Sequence, residues 1–451
     1  MELINFKDLL FKKALNEGFE ECEVYYSTGE NLSINIYEGE VEKYNLDKSF
    51  GLSFRGKIDG KIGYSYTEIL DDKAVDMLIK NVKDGVRAIE NEDVQFIYEG
   101  DKFYNEVKTY SKELENLEAD KLIELALQME EETKAYSDKV VNLSSCTISY
   151  SVASSGIYNT KGLDLSNKTN LLIGFVVPVI QDNGQKYDGV GYNIANAIEE
   201  INPKEIAKLG VENALSKIGG KSIPSGKYKT ILFNEAMVSL LSTFSGIFNA
   251  DSAQKGLSLL KDREGEMIAS PIVTIVDDPL LENGLASTPF DDEGVATFKK
   301  EVISNGKLMT LLHNLKTANK AKVKTTGNGI KASYSSPISI YPTNFYIEKG
   351  NKSLDDIMKE VGEGLMVTSF AGLHSGANSV TGDFSLAAKG FYIKDGKKSF
   401  PVEQITVAGN YFDLLKDIEV IGEDLEFPMS SIGSPSIVIK ELSVAGKDEQ
   451  R

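Results

Sequence analysis

"NLSINIYEGEVEKYNL", residues 31–46, and "SFGLSFRGKIDGKIGYSYT", residues 49–67, decide the fold. Both are rich in β-branched and aromatic residues, and the second carries a turn signal at Asp59-Gly60, so with "CEVYYS" before them they predict an antiparallel meander. In front of it "MELINFKDLLFKKALNEG" spaces its apolar residues helically among charges and ends near Gly18; it has none of the continuous apolar run of a signal peptide. Behind it "DDKAVDMLIKNVKDGVRAI" repeats apolar residues three and four apart after an Asp cap, which predicts a helix from about Asp71 to Ala88.

The plan recurs. After the charged stretch 98–121 comes a predicted helix near 117–135. Then "VVNLSSCTISYSVASS", "KTNLLIGFVVPVIQ" and "QKYDGVGYNIAN" read as another sheet. A helix opening at Asn202-Pro203 closes this part, and the Gly/Ser/Pro-rich "GGKSIPSGK" (219–227) is read as the main boundary. The expected domains are 1–97, 98–220 and 221–451. The last is strand-rich, with hairpins at 299–312 and 390–402; the echo between "FYIEKGNKS" (345) and "FYIKDGKKS" (391) suggests two similar hairpins. The fold class expected is α+β with largely antiparallel sheets, helix-and-sheet modules followed by a larger strand-rich domain.

Composition narrows the function. The chain has 451 residues and a formal charge of -19, from 68 acidic and 49 basic side chains, a field that repels phosphate backbones and argues against nucleic acid as a partner. Two cysteines, Cys22 and Cys146, make no disulfide framework and suit a reducing, cytoplasmic setting. The longest uncharged runs fall short of the roughly 20 residues that span a bilayer, so no membrane role is expected.

Chemistry is scarce. With only His313 and His374, a three-histidine zinc site is impossible within one chain, and neither lies in an H-E-x-x-H helix. "GGKS" at 219 has the wrong order of flanking elements for a phosphate loop, and "TTGNGIKAS" has Ala332 where a last glycine belongs. Acidic clusters stand at 276–278, 290–294 and around Asp383; such pairs can do acid/base work or bind Ca²⁺ or Mg²⁺, but in a chain this acidic they are more often solvated turns. The helix "VSLLSTFSGIFNAD" (238–251) is apolar yet carries hydroxyls at Ser239, Ser242, Thr243 and Ser245, which can hydrogen-bond to carbonyls one turn back.

Several phrases of the C-terminal half occur together: "STPFDDEG" (287–294), "TTGNG" (325–329), "NSVTGDFSLAAKGFYIKDGK" (378–397), "PVEQITVAGN" (401–410) and "PSIVIKELSVAG" (435–446). This set resembles the TldD/PmbA family of metallopeptidases, also called modulators of DNA gyrase. The resemblance implies two branches that pair: TldD-like chains with an H-E-x-x-x-H helix and a C-terminal cysteine ligand for zinc, and PmbA/TldE-like chains without them. Aligned on that helix, this sequence places Ser242 and Thr243 at the His-Glu positions and Ile247 at the second His, and "EDLEFPMSSIGSPS" (423–436) lacks the cysteine.

The resemblance therefore implies the PmbA/TldE-like, non-catalytic subunit of a heterodimeric zinc peptidase acting on unfolded or flexible peptides. It implies no cofactor in this chain, zinc in a TldD-like partner, and a homodimer as an option when the chain is alone. Asn378, Thr381, Asp383, Phe384 and Asn410 are the candidates for a peptide or partner groove; the competing reading makes them turn and strand-end residues. Two alternatives stay open: an autonomous metal-dependent hydrolase using Asp291, Asp292, Asp383 and His374, and a non-enzymatic homodimeric peptide-binding protein.

Overall fold

The structure is a computed structural model describing residues 1–89 and 94–447. The fold is α+β, and its contacts divide the chain into two units. The first takes Met1–Ser216 with two later segments, Thr288–Thr297 and Asn314–Ser339; the second takes Lys217–Ser287, Phe298–His313 and the chain from Ile340 onward.

In the first unit the strands are β1 (Glu21–Tyr37), β2 (Glu40–Ile58), β3 (Lys61–Thr67), β4 (Val140–Asn159), β5 (Asp164–Asp182), β6 (Gln185–Asp188) and β7 (Gly191–Ala195). Its helices are α1 (Leu3–Asn16), α2 (Asp72–Ala88), α3 (Ala119–Tyr136) and α4 (Pro203–Leu215). Caps fix two of these where the sequence placed them: Asp71 accepts from the Ala74 amide at 2.7 Å, and Asn202 from the amides of Lys204 and Glu205.

The two predicted sheets are one. Its order is β3-β2-β1-β4-β5-β6, with β7 also on β5, because β1 pairs with β2 on one side and with β4 on the other, from Glu23↔Asn159 to Asn35↔Thr147. Strands of 17 to 20 residues give β1 enough length to join both modules. Alternation along β1 then assigns the faces. Val24 enters the core with α1 and α2, and Ile34 enters a second core with α3 and α4. Glu23 and Tyr25 point the other way, where the segments 288–297 and 314–339 lie.

The second unit has a six-stranded sheet ordered 397–410, 383–394, 364–371, 226–232, 437–445 and 418–421; residues 406–408 pair in addition with 443–445. The hairpin at 390–402 is present, turning at Asp395-Gly396, as is that at 300–308. Its supposed twin is not a hairpin: 345–347 pairs in parallel with 432–433 and antiparallel with 275–277, and the Gly350 amide donates to the Gly422 carbonyl. The helix expected over 238–251 starts earlier and breaks. Helix α5 (Asn234–Phe244) gives way to a 3₁₀ turn, and α6 (Ala250–Gln254) restarts where Asn249 caps the amides of Asp251 and Ser252.

Candidate functional site

Two places carry the residues singled out in the sequence, one in each unit.

In the second unit, α5 buries Ala236, Met237, Leu240, Leu241 and Phe244. Its hydroxyls return to the helix: Ser239 donates to the Glu235 carbonyl (2.9 Å), Thr243 to that of Ser239 (2.7 Å) and Ser245 to that of Ser242 (2.8 Å). Ile247 is 1% exposed among the apolar side chains of the main core. Three positions that would have to hold zinc therefore present one exposed hydroxyl, one hydroxyl already donating, and a buried hydrocarbon. Such a set does not fit a cation that takes imidazole, thiolate or carboxylate ligands.

Phe244 links α5 to the other candidates, stacking on Tyr411 with ring centroids 4.5 Å apart and lying 6.3 Å from Phe384. The short helix Leu373–Gly376, which carries His374, also packs on α5. Around Phe384 a corner is tied by its own polar groups. Asn378 accepts from the amides of Val380 and Thr381, and Asp383 accepts from the Thr381 hydroxyl (2.8 Å) and the Asn410 amide (2.9 Å). Those two donors, Asn410 first, hold the Asp383 carboxyl below its usual range. Asn410 also caps Tyr411–Lys416 through the Phe412 amide. Gly382 is needed in the corner: its φ is +84°, and a Cβ there would come within 2.6 Å of the Phe412 ring.

Sequence reading passed over Tyr411. Its side chain is fully buried, and its hydroxyl has no hydrogen-bond partner among the described residues. Burial alone pushes that phenol upward, away from ionisation.

In the first unit, "FDDEG" is buried and spends its carboxylates on backbone. Asp291 accepts from the amides of Glu293 and Val295 (3.0 Å each) and of Gly329 (2.9 Å). Asp292 accepts from Lys331 N (2.7 Å) and Glu293 from Leu315 N (2.7 Å). Together they fasten 288–297 to 314–331. Gly329 is required by this closeness, since a Cβ there would meet Glu293 at 2.5 Å. From the sheet, Arg55 donates to Glu23 through Nε at 2.7 Å, both nearly sealed from solvent. The Lys331 ammonium lies 4.6 Å from the centre of the Tyr64 ring and donates to the Ser336 carbonyl.

Burial dominates the electrostatics. It pushes Asp292 up to about 6 against the Lys331 amide and Glu293 up to about 7, and it raises Asp291 well above its ordinary value. Burial, with Arg55 nearby, lowers Lys331 to about 8. Alternation hides this cluster: Glu23 and Arg55 lie on the polar sides of their strands, in line with Glu21 and Lys57, and read as solvent-facing until the segments that cover them are known.

Asp291 and Asp292 belong to one unit, Asp383 and His374 to the other, and among the described residues no group of three or more His, Cys, Asp or Glu is placed to hold a metal. The acidic cluster at 276–278 is likewise structural: Asp277 pairs with Lys300 (2.9 Å) and accepts from the Thr343 amide (2.6 Å).

The sequence matches profiles of the PmbA/TldA metallopeptidases over residues 22–91 (domain 1), 112–218 (central domain) and 225–446 (C-terminal domain). It is similar to a Thermotoga maritima protein named as a modulator of a DNA gyrase, with 34% identity, a TM-score of 0.90, and 98% of this chain and 100% of that chain covered. It is 31% identical to the metalloprotease PmbA of Escherichia coli O157:H7 over 60% of this chain and 57% of that protein. The crystal structure of TldE from Thermococcus kodakarensis shares the fold at a TM-score of 0.88 and 21% identity, covering 98% of this chain and all of that one, 100%.

Proposed function

The chain belongs to the PmbA/TldD family of metallopeptidases, and from that premise we propose that it is a PmbA/TldE-like subunit which works beside a zinc-bearing TldD-like chain. The observation that carries the reading is the donor-poor α5 and the turn after it: Thr243 already donates to its own helix, Ile247 is buried hydrocarbon, and Ser242 offers a lone exposed hydroxyl. In this reading zinc belongs to the partner, and no step of hydrolysis runs through a metal on this chain. Its own task is to bind an extended peptide by main-chain hydrogen bonds, which hold a strand without regard to its sequence. Asn378, Thr381, Asp383, Phe384 and Asn410 are the proposed lining: Asn378, Thr381 and Asp383 are exposed, half-buried Asn410 and Thr381 hold the Asp383 carboxylate, and Phe384 belongs to the buried aromatic stack beneath.

A cytoplasmic location is part of the proposal. Both cysteines are free and buried, and burial pushes each thiol up to about 12, so neither is poised for disulfide exchange. No helix among the described residues is long and apolar enough to cross a membrane.

The test is hydrolysis of an unfolded protein such as reduced casein by this chain alone, by a TldD-like chain of the same cell alone, and by the two together. The expected result is no activity from this chain and a strong gain on mixing. Hydrolysis by this chain alone, abolished by chelator, would refute the subunit reading.

A further inference from the structure

A cleft of about 400 Å³ opens in the first unit between two walls. One wall is the extended segment Phe96–Glu99 with Lys161 from the turn after β4. The other is helix α7 (Leu315–Ala321), through Leu315, Ala318 and Asn319, and the chain after it, through Val323 and Thr325. The volume is at the low end of the roughly 300–1,000 Å³ of ligand pockets, which suits the end of a chain better than a segment passing through.

Both walls are fixed. Buried Asn159 holds the first: its amide donates to the Tyr98 carbonyl at 2.6 Å, and its oxygen accepts from the amides of Lys161 (2.9 Å) and Leu163 (3.2 Å). The Lys161 ammonium then donates to the Ile97 carbonyl at 3.1 Å and stands 4.0 Å from Glu21, so it is positioned and still has N–H donors beyond the one that Ile97 takes. In the second wall, Asn314 and Thr317 form a capping box for α7, and the Leu315 amide is fastened to Glu293 at 2.7 Å. A cleft already in shape loses little freedom on taking a ligand.

The charge of the second wall runs against the rest of the chain. Asn314–Ser339 contains Lys316, Lys320, Lys322, Lys324 and Lys331 and no acidic residue, in a sequence with 68 acids. Lys320, Lys322 and Lys324 are exposed and adjoin Asn319 and Val323 in the chain, within a screening length of about 8 Å. Glu99 is the one acid among the described lining residues, and Lys161 faces the same space. Against these polar groups stands hydrocarbon, including Val323, which is 52% exposed. The group that suits such a place is apolar and carries a carboxylate, and the last residue of a peptide has both on one Cα.

We propose that this cleft captures the C-terminus of a peptide, with its carboxylate on Lys161 and Asn319 and an apolar last side chain against Ala318 and Val323. The inference rests on the peptide-binding reading above and names the end of the peptide that is held; which chain carries zinc does not enter it.

The probes are a fluorescein-labelled Gly-Ser-Gly-Ser-Val-Leu peptide with a free C-terminus and the same peptide amidated, each titrated with the full-length chain and followed by anisotropy. Main-chain binding elsewhere counts equally for both, so the difference between them reports the cleft. The free acid should bind at least about tenfold tighter, by a margin that shrinks as salt is raised. Lys161→Met should remove the margin and leave the amidated peptide's affinity unchanged. Because Lys161 also ties Ile97, Asn319→Asp gives a second reading: the position is exposed, the change is nearly isosteric, and a carboxylate placed there should abolish the margin as well. Sodium isocaproate, an apolar carboxylate without a peptide chain, should need at least about tenfold more than the unlabelled peptide to displace the probe. Equal binding of the two peptides or none, a margin that survives either substitution, or displacement by isocaproate at the peptide's own concentrations would each overturn the proposal. Equal binding would leave hydrolysis by the mixed chains untouched, so the two readings fail separately.

Discussion

As strings of polar residues, the "FDDEG" cluster of the first unit and the α5 corner of the second unit are hard to tell apart, and the structure uses them in opposite ways. In the "FDDEG" cluster, carboxyl groups are kept out of water and spent on backbone amides, beside the buried Arg55–Glu23 ion pair. In the α5 corner, the hydroxyls of Ser239 and Thr243 satisfy their own helix, and the Asp383 carboxylate stays at the surface. Burying a charge costs far more than burying a hydroxyl. The acidic cluster is therefore the place where substitution breaks the protein, and the α5 corner is where it changes little.

The largest effect expected is at Asp291. Asp291→Ala strands three amide groups, and urea unfolding should show a loss of about 3 kcal/mol or more; a loss under about 1 kcal/mol would mean the segment 288–297 is held by something else. Glu23→Ala comes next in the same comparison, because it removes the carboxylate to which the buried Arg55 guanidinium donates and leaves it only the more distant carboxyls of Glu293 and Asp291, at a cost of about 3 kcal/mol. Both should alter stability without any dependence on a partner chain.

A subtler contrast is in pH. A carboxyl whose folded value is raised takes up protons on folding, so Glu293, raised from 4.5 to about 7, removes stability as pH climbs through that window. Lys331, lowered from 10.5 to about 8, does the reverse, removing stability as pH falls from 10.5 to 8. Unfolding followed from pH 5 to pH 9 should therefore reveal a soft region between these values, and Glu293→Gln, which keeps an acceptor for the Leu315 amide, should flatten its acidic side. An unchanged slope in that variant would contradict the assignment of charge to the cluster.

The smallest effects belong to the α5 corner. Ser239→Ala and Thr243→Val should each change stability by no more than about 0.5 kcal/mol, since the bonds they remove are local. Tyr411→Phe should be neutral or slightly stabilising, because its hydroxyl is buried without a hydrogen-bond partner among the described residues. A clear loss on removing that one oxygen would show that the site does have a polar occupant, and would erase the contrast.

What could be read in advance follows the range of the interactions involved. Helices α2 and α4 were legible because their caps, Asp71 and Asn202-Pro203, sit within three residues of what they bind. The joining of two meanders into one sheet was not, because β1 meets β4 across more than a hundred positions and nothing local to either strand names the other. Likewise "FYIEKGNKS" and "FYIKDGKKS" are nearly the same string, yet only the one at 391 closes a hairpin; the one at 345 is captured by 432–433 and 275–277. Ser242, Thr243 and Ile247 are set at metal-helix positions by resemblance alone, whereas the hydroxyl back-bonding of Ser239 and Thr243 was legible from elementary stereochemistry. The carboxylates of "FDDEG" were read only as acids, since their amide partners lie up to 39 positions away.

The central claim is that this chain does not itself grip the hydrolytic cation of its family, and the most direct test is zinc content. The full-length chain, purified without its partner, dialysed against zinc and freed of excess, should carry far less than one zinc per molecule, and Ser242→Ala should leave that figure unchanged. One firmly held zinc per chain, lost on substitution at Ser242 or Thr243, would contradict the account.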